Sequence, residues 1–234
     1  QLNPKGEAKI DLNSLFNEKM LEITETTKVS AEIVMEYTVA GTRYQQNRVE
    51  TIRILDRNAI TWDDDRKAAV FVTAKDPTVL TFSKNILSLT QDSGSKAINK
   101  NLKTAIAFYQ ALSLYGLSYV VDPTTPYKEL SKDKTAIDFL QFPRQTFQYK
   151  AGDCDDLSVL YASLLESVGI ETAFITIPGH IYIALSLEMS PEEARKAFYQ
   201  DDDLIYLNDR AWLPVEVTEL RNGFLKAWEL GAQQ

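Results

Sequence analysis

The 234-residue chain contains one cysteine, one histidine and no long hydrophobic run. A single cysteine excludes an intramolecular disulfide, and one cysteine with one histidine excludes a zinc site built mainly from these residue types. Any bound metal must therefore be held largely by oxygen ligands. No apolar run approaches the roughly 20 residues of a membrane-spanning helix, and no signal peptide is visible at the start. The sequence therefore predicts no transmembrane segment.

The composition is that of an ordinary soluble globular protein with a sizeable core, because 44% of the residues are hydrophobic and 25% are charged. The formal net charge is −8, and the basic residues form no long run. Phosphate contacts need positive charge, so we expect no nucleic-acid partner.

The N-terminal part predicts a small β-rich, sandwich-like domain. Apolar and polar residues alternate over 33–39, Gly41 lies where a turn is needed, and 44–54 is a returning strand. Further strands are predicted at 67–73 and 78–82. The polar stretch that follows places the domain boundary near residue 92, which gives a domain of residues 1–92 and a second of residues 93–234.

The C-terminal part mixes helices and strands, so the predicted fold class is α+β. Apolar residues recur at helical spacing from Ile98 to a stop at Gly116, and again over 157–168. The predicted strands that follow are 172–177, 180–187, 204–207 and 211–218.

Cys154 lies just where the amphipathic helix over 157–168 is predicted to begin. Unpaired N–H groups and a partial positive charge in the first turn of a helix stabilise a thiolate. The simpler interpretation is a buried structural cysteine. The three aspartates that flank Cys154 make its surroundings polar, which favours a nucleophile.

A histidine and a carboxylate are predicted on the less apolar faces of two strands. His180 opens one strand after Pro178-Gly179, and Glu216 lies on the other. If these strands pair, Glu216 can orient the His180 ring, as in a triad of nucleophile, base and orienting acid. Asp209, in a predicted turn, is the fallback third member. A structural histidine and a solvated carboxylate remain as alternatives.

Three segments together resemble the transglutaminase-like superfamily: Gly-Asp-Cys-Asp-Asp-Leu-Ser at 152–158, Gly-His-Ile-Tyr-Ile-Ala at 179–184 and Trp-Leu-Pro-Val-Glu-Val-Thr at 212–218. The resemblance covers about residues 95–220 and is nearest to the bacterial group that includes cysteine proteinases of the cell envelope. It implies a papain-like core with Cys154 as nucleophile, His180 as base and Glu216 as orienting acid. It also implies a location in the bacterial cell envelope or periplasm. The family more often has Asp at the third position.

These residues predict acyl transfer. The Cys154 thiolate attacks an amide carbonyl, His180 protonates the leaving amine, and the resulting thioester passes to water or to an amine. The backbone N–H of Cys154 is a natural donor to the oxyanion, and Gln148 or Tyr119 is the candidate second donor. No cofactor is required.

Asp153, Asp155 and Asp156 create a physical problem, because carboxylates beside a thiol raise its pKa. They can point away, pair with cations or bind a metal. Some bacterial members of the family bind calcium through acidic residues that flank the cysteine, and the resemblance places Asp153 and Asp155 at such positions. The alternative is that Asp153 caps the helix while the other two face its dipole.

Three functions fit this sequence. The first is a cysteine-dependent peptidase acting on a protein or peptide substrate through a Cys–His–Glu triad. The second is a non-catalytic, transglutaminase-like interaction or scaffold module, with other envelope proteins as partners. The third is a cross-linking enzyme or another amide-processing acyltransferase that uses the same triad.

Overall fold

The structure is a computed structural model that describes residues 6–12, 15–90, 98–123, 127–130, 133–199 and 201–234. It divides into two compact units, Gln1–Arg57 and Asn58–Gln234. Helices and strands are both present, so the predicted α+β class is confirmed.

The first unit is a long β-hairpin preceded by a short 3-10 helix at Glu18–Glu22. Strands β1 (Thr27–Val39) and β2 (Thr42–Ile54) pair antiparallel along their whole length. Ala40 and Gly41 both have positive φ, 47° and 83°, the backbone of a two-residue turn that matches the twist of the strands. The described part of this unit contains this one two-stranded sheet, so the predicted sandwich is not found.

The two further strands predicted at 67–73 and 78–82 are wrong, because both regions are helical. A 3-10 helix occupies Asp65–Phe71, and α1 spans Pro77–Thr90. Asp76-Pro77 starts α1: Asp76 Oδ1 accepts a hydrogen bond from the Thr78 N–H at 2.8 Å, and proline suits the first helical position.

The second unit begins well before the boundary predicted near residue 92. Asn58 is buried, and its side-chain amide donates to the Leu140 carbonyl and to Gln145 Oε1, both at 2.7 Å. Val79 of α1 is fully buried in the main apolar core of this unit. The segment before residue 92 therefore belongs to the same compact unit as the later helices and sheet.

A four-stranded antiparallel sheet and a buried helix form the centre of this unit. The sheet contains β7 (Thr172–Ile177), β8 (His180–Ser186), β9 (Ile205–Leu207) and β10 (Arg210–Val215), in the order β7-β8-β10-β9. Helix α5 (Cys154–Glu166) packs against β8, and its residues 154–165 are all buried. The remaining helices are α2 (Lys100–Tyr115), α3 (Tyr127–Leu130), α4 (Pro143–Tyr149), α6 (Pro191–Ala197) and α7 (Phe224–Gln233). Short 3-10 helices lie at Asp201–Asp203 and Val217–Glu219.

Two short ladders bring distant segments to the start of α5. Strand β3 (Ala59–Ile60) pairs with β5 (Asp138–Phe139), and β4 (Ser118–Tyr119) pairs in parallel with β6 (Ala151–Gly152). Among the residues that the structure describes, no helix is long and apolar enough to cross a membrane.

Candidate active site

Cys154 is the first residue of α5, and the residues around it fix the start of that helix. Asp153 is the N-cap, and its backbone N–H donates to Asp156 Oδ2 at 3.3 Å. Asp156 also accepts hydrogen bonds from the Gln141 backbone N–H at 2.8 Å and from Gln141 Nε2 at 2.6 Å. A Cβ on Gly152 would lie 2.5 Å from the Asp156 Cβ, so glycine is required for this close approach.

The Cys154 thiol is buried, with 4% of the residue exposed. It belongs to an apolar cluster that includes Trp62 and Tyr127, whose rings meet edge to face at 4.6 Å. Trp62 Nε1 donates to the buried Asp138 carboxylate at 2.7 Å, which fixes the indole ring within this cluster. Neither aromatic residue could be predicted as part of the site, since nothing local in the sequence connects them to Cys154.

The pKa of the Cys154 thiol is raised to about 12. Burial is the main cause, and the negative charge of Asp153 adds to it. The backbone N–H of Ile181 opposes this by lowering the pKa of the thiol, whereas the Glu216 carboxylate raises it further. In the described conformation the thiol is therefore neutral near pH 7.

The contact with Ile181 follows from how α5 meets the sheet. The pairing between β10 and β8 ends at Val215–Ile183, so Tyr182 and Ile181 of β8 have no partner on β10. Ser158, one turn after Cys154, donates its hydroxyl to the Ile181 carbonyl at 3.4 Å. The first two turns of α5 therefore lie where β8 has no β10 partner.

His180 is the first residue of β8 and directly precedes Ile181. Pro178-Gly179 forms the turn between β7 and β8, where Gly179 has a φ of 78° and Ile177 pairs with His180. The His180 ring stacks on Tyr182 at 5.9 Å, and His180 Nε2 lies 2.5 Å from Glu216 Oε2. Because Nε2 faces the carboxylate, Nδ1 is the nitrogen left to act as a base.

Glu216 follows β10 directly and is 3% exposed. Its Oε1 accepts hydrogen bonds from the Thr218 N–H at 3.0 Å and from Thr218 Oγ1 at 2.5 Å, and its Oε2 accepts one from Gln234 Nε2 at 2.8 Å. Burial raises the pKa of Glu216, but the hydrogen bonds from His180 and Thr218 outweigh it, so the net shift is downward. The carboxylate is therefore ionised at neutral pH despite its burial.

The structure thus brings His180 and Glu216 into direct contact and places the Cys154 thiol beside the next residue of β8. Across the described residues no hydrogen bond joins the Cys154 thiol to the His180 ring. The fallback acid, Asp209, lies in the exposed turn between β9 and β10 with a φ of 61°, and Glu216 holds the position it would have filled.

The two candidate oxyanion donors differ in their placement. Tyr119 is 44% exposed, and burial, with the nearby negative charges of Asp153 and Glu216, raises the pKa of its hydroxyl. Gln148 lies on the exposed side of α4. No hydrogen bond in the described ranges connects Gln148 to the site.

Asp153, Asp155 and Asp156 form a buried acidic cluster, with one carboxylate oxygen of each within 4.8 Å of the others. Burial and the neighbouring charges raise the pKa of Asp155 and Asp156 well above the usual value. Asp155 Oδ1 accepts from the Asp156 N–H at 2.8 Å. Asp153 Oδ1 is buried and has no hydrogen-bond partner.

Comparisons with known proteins add little. No protein-family profile and no curated protein matches the chain. One solved structure, described as a "putative protease" from Parabacteroides distasonis, is similar in part, with 12% identity and a TM-score of 0.32. The match covers 70% of this chain and 36% of that chain. A match at this level establishes neither a shared fold nor a shared activity.

Proposed function

We propose that this protein is a cysteine-dependent acyl-transfer enzyme that cleaves peptide or amide bonds, a peptidase of the transglutaminase-like type with a papain-like core. The observation that carries the proposal is the contact between His180 Nε2 and Glu216 Oε2 at 2.5 Å, on the strand whose next residue touches the Cys154 thiol. A buried carboxylate that holds an imidazole, next to a strand residue that contacts a buried thiol, fits the roles of orienting acid, base and nucleophile.

In the proposed reaction, His180 Nδ1 takes the proton of the Cys154 thiol as the sulfur attacks the substrate carbonyl. The new C–S bond forms a tetrahedral oxyanion near the first turn of α5, where the Cys154 backbone N–H and the Tyr119 hydroxyl are the candidate donors. The imidazolium then protonates the leaving amine as the C–N bond breaks. In the second half of the reaction, His180 takes a proton from the water that attacks the thioester. The C–S bond then breaks, the carboxylic acid product leaves, and the imidazolium returns the proton to the Cys154 sulfur.

The raised pKa of Cys154 decides how the nucleophile is activated. A thiol with a pKa of about 12 exists as thiolate in only about one molecule in 10⁵ at pH 7. Activation therefore requires proton transfer to His180 during attack, once substrate has reached the buried thiol. We expect turnover to depend strongly on His180 for this reason.

A peptidyl acyloxymethyl ketone tests this proposal, because the probe alkylates an activated thiol and the chain has one cysteine. We expect one adduct at pH 7 by intact mass spectrometry, none in Cys154→Ala, and labelling at least about tenfold slower in His180→Ala. Labelling of the wild-type protein that is indifferent to His180→Ala would overturn the mechanism.

The second candidate function is a non-catalytic interaction module. The 4% exposure of Cys154 favours it, and so does the missing hydrogen bond between the thiol and the His180 ring. The same experiment separates the two functions. If the protein is an interaction module, the wild-type protein should form no more probe adduct than Cys154→Ala does.

We also propose a calcium ion at Asp153 and Asp155. The buried Asp153 Oδ1, to which no donor is bonded, and a carboxylate oxygen of Asp155 within 4.8 Å fit a cation, whereas Asp156 is committed to the hydrogen bonds that start α5. Calcium takes six to eight oxygens, so other groups must complete the shell. A bound cation would offset the charge of Asp153 and lower the pKa of the Cys154 thiol.

Thermal unfolding tests the calcium proposal. With 1–5 mM calcium we expect a melting temperature about 2–8 °C higher than in chelator, because a ligand of the native state stabilises by mass action. Asp153→Asn should lose this difference, and magnesium in place of calcium is the control. Identical melting curves in calcium and chelator would rule the site out.

A further inference from the structure

Helix α7 lies directly against the end of β10, next to Glu216. The Ala227 carbonyl accepts a hydrogen bond from the Glu216 backbone N–H at 2.9 Å. A Cβ on Gly231 would lie 3.0 Å from the Pro214 carbonyl carbon and 3.0 Å from the Val215 nitrogen. The backbones of the helix and the strand are therefore in contact, and this contact fixes where the helix ends relative to Glu216.

The side of α7 that makes these contacts also carries Gln234 towards Glu216. Ala227, Gly231 and Gln234 are spaced four and three residues apart, so they lie on one side of the helix. Gln234 follows the last helical residue, and its Nε2 donates to Glu216 Oε2 at 2.8 Å. This is the same oxygen that faces His180 Nε2 at 2.5 Å.

The Glu216 carboxylate is thereby held on both oxygens. Oε1 accepts from the N–H and the hydroxyl of Thr218, and Oε2 accepts from His180 and Gln234. A carboxylate oxygen offers two lone-pair directions. With Gln234 in one of them, the other is aimed at the His180 ring.

We propose that Gln234 is a positioning residue, which fixes the Glu216 carboxylate so that the His180 ring carries its proton on Nε2 and presents Nδ1 to the thiol. This rests on the proposed function. Gln234 touches neither substrate nor thiol and acts through Glu216.

The tautomer of His180 gives a direct readout, because the chain has one histidine and its ring signals need no assignment. Nitrogen-15 NMR distinguishes a protonated from an unprotonated ring nitrogen. We expect the Nε2–H form to predominate in the neutral ring of the wild-type protein and a mixture of both tautomers in Gln234→Ala. Gln234→Glu, which replaces the amide donor with a carboxylate, should show the same loss. An unchanged tautomer in both variants would overturn the proposal.

The chain supplies a matched control in the adjacent glutamine. Gln233 is exposed, and its Nε2 lies 3.5 Å from Glu229 Oε1, away from Glu216. Gln233→Ala should leave the His180 tautomer unchanged, and all three variants should keep the wild-type melting temperature within about 2 °C. A tautomer change of equal size in Gln233→Ala would mean that the end of α7, not the Gln234 amide, is responsible.

Kinetics separate this proposal from the proposed function. Alkylation of Cys154 by the peptidyl acyloxymethyl ketone at pH 7 should be about threefold to tenfold slower in Gln234→Ala and unchanged in Gln233→Ala. If the wild-type protein does not react but the tautomer still shifts in Gln234→Ala, the positioning role stands and the peptidase proposal fails. If the wild-type protein reacts and Gln234→Ala matches it in rate and tautomer, Gln234 has no positioning role.

Discussion

At the scale of single residues, Cys154 is subject to two opposing effects. Its place in the first turn of α5 favours a thiolate, as does the Ile181 N–H, but burial and the charge of Asp153 raise the pKa of the thiol to about 12. Burial is the largest cause, because the thiol packs in the apolar cluster that includes Trp62 and Tyr127. Of the three aspartates beside the cysteine, Asp153 raises the pKa of the thiol as expected, but its charge is not the largest cause.

This balance predicts a pH dependence for alkylation of Cys154 by iodoacetamide in His180→Ala. The variant has no base, so only thiolate formed by loss of the proton to solvent reacts. Because the pKa of about 12 lies above the measured range, the rate should rise about tenfold per pH unit between pH 8 and pH 10 without a plateau. Alkylation reactions that are stopped at successive times and analysed by intact mass spectrometry give this rate at each pH.

The wild-type protein is the control for that profile, and its rate at pH 8 should exceed that of His180→Ala. A plateau below pH 9 in His180→Ala would show that the thiol is less buried in solution than in the structure. A wild-type profile identical to that of the variant would remove His180 from the mechanism.

At the scale of elements, the sequence predicts the parts of the site that depend on local pattern. Strands β7 and β8, the turn between them and the start of α5 all follow from alternation, a Pro-Gly pair and helical spacing. The apolar cluster around Cys154 could not be predicted in this way, because Trp62 and its hydrogen-bond partner Asp138 are 76 residues apart. The role of Gln234 is likewise set by the contact of α7 with β10.

The β7–β8 turn carries a prediction that separates stability from function. Gly179 and Gly169 both have positive φ, 78° and 82°, so alanine at either position costs about 1–2 kcal/mol of folding stability. Only Gly179 is adjacent to His180, whereas Gly169 lies beyond the end of α5. We expect similar losses in melting temperature but slower probe labelling in Gly179→Ala alone.

Thermal unfolding and the labelling rate at pH 7 measure the two effects. If Gly169→Ala slowed labelling as much as Gly179→Ala, the loss would reflect general destabilisation. If neither variant slowed it, the turn would have no role in placing His180.

At the scale of the whole molecule, the candidate site lies entirely within the second unit. Its residues come from widely separated parts of the chain, from Trp62 to Gln234, all within Asn58–Gln234. The sequence placed the boundary near residue 92 because a polar stretch follows the alternating region there. A polar stretch does not show that α1 and the buried residues before it belong to the second unit, because their packing partners lie far along the chain.

This division predicts which truncations fold. A chain of residues 58–234 keeps the whole compact unit, so we expect cooperative unfolding and probe labelling of Cys154 at the wild-type rate. A chain of residues 93–234 loses Trp62, Phe71 and Val79, all buried. Each large apolar side chain contributes about 1.5–3 kcal/mol, so together with their neighbours the loss approaches the total stability of a typical domain, about 5–15 kcal/mol.

We therefore expect the chain of residues 93–234 to be unfolded, with Cys154 reacting with iodoacetamide as in a short peptide and no dependence on His180. Circular dichroism during thermal unfolding tests whether each truncation folds. The alkylation rate is then compared between each truncation and its His180→Ala variant, with Cys154→Ala as the unreactive blank. A cooperatively folded chain of residues 93–234 would restore the boundary near residue 92. A chain of residues 58–234 that folds but loses His180-dependent labelling would show that the first 57 residues complete the site.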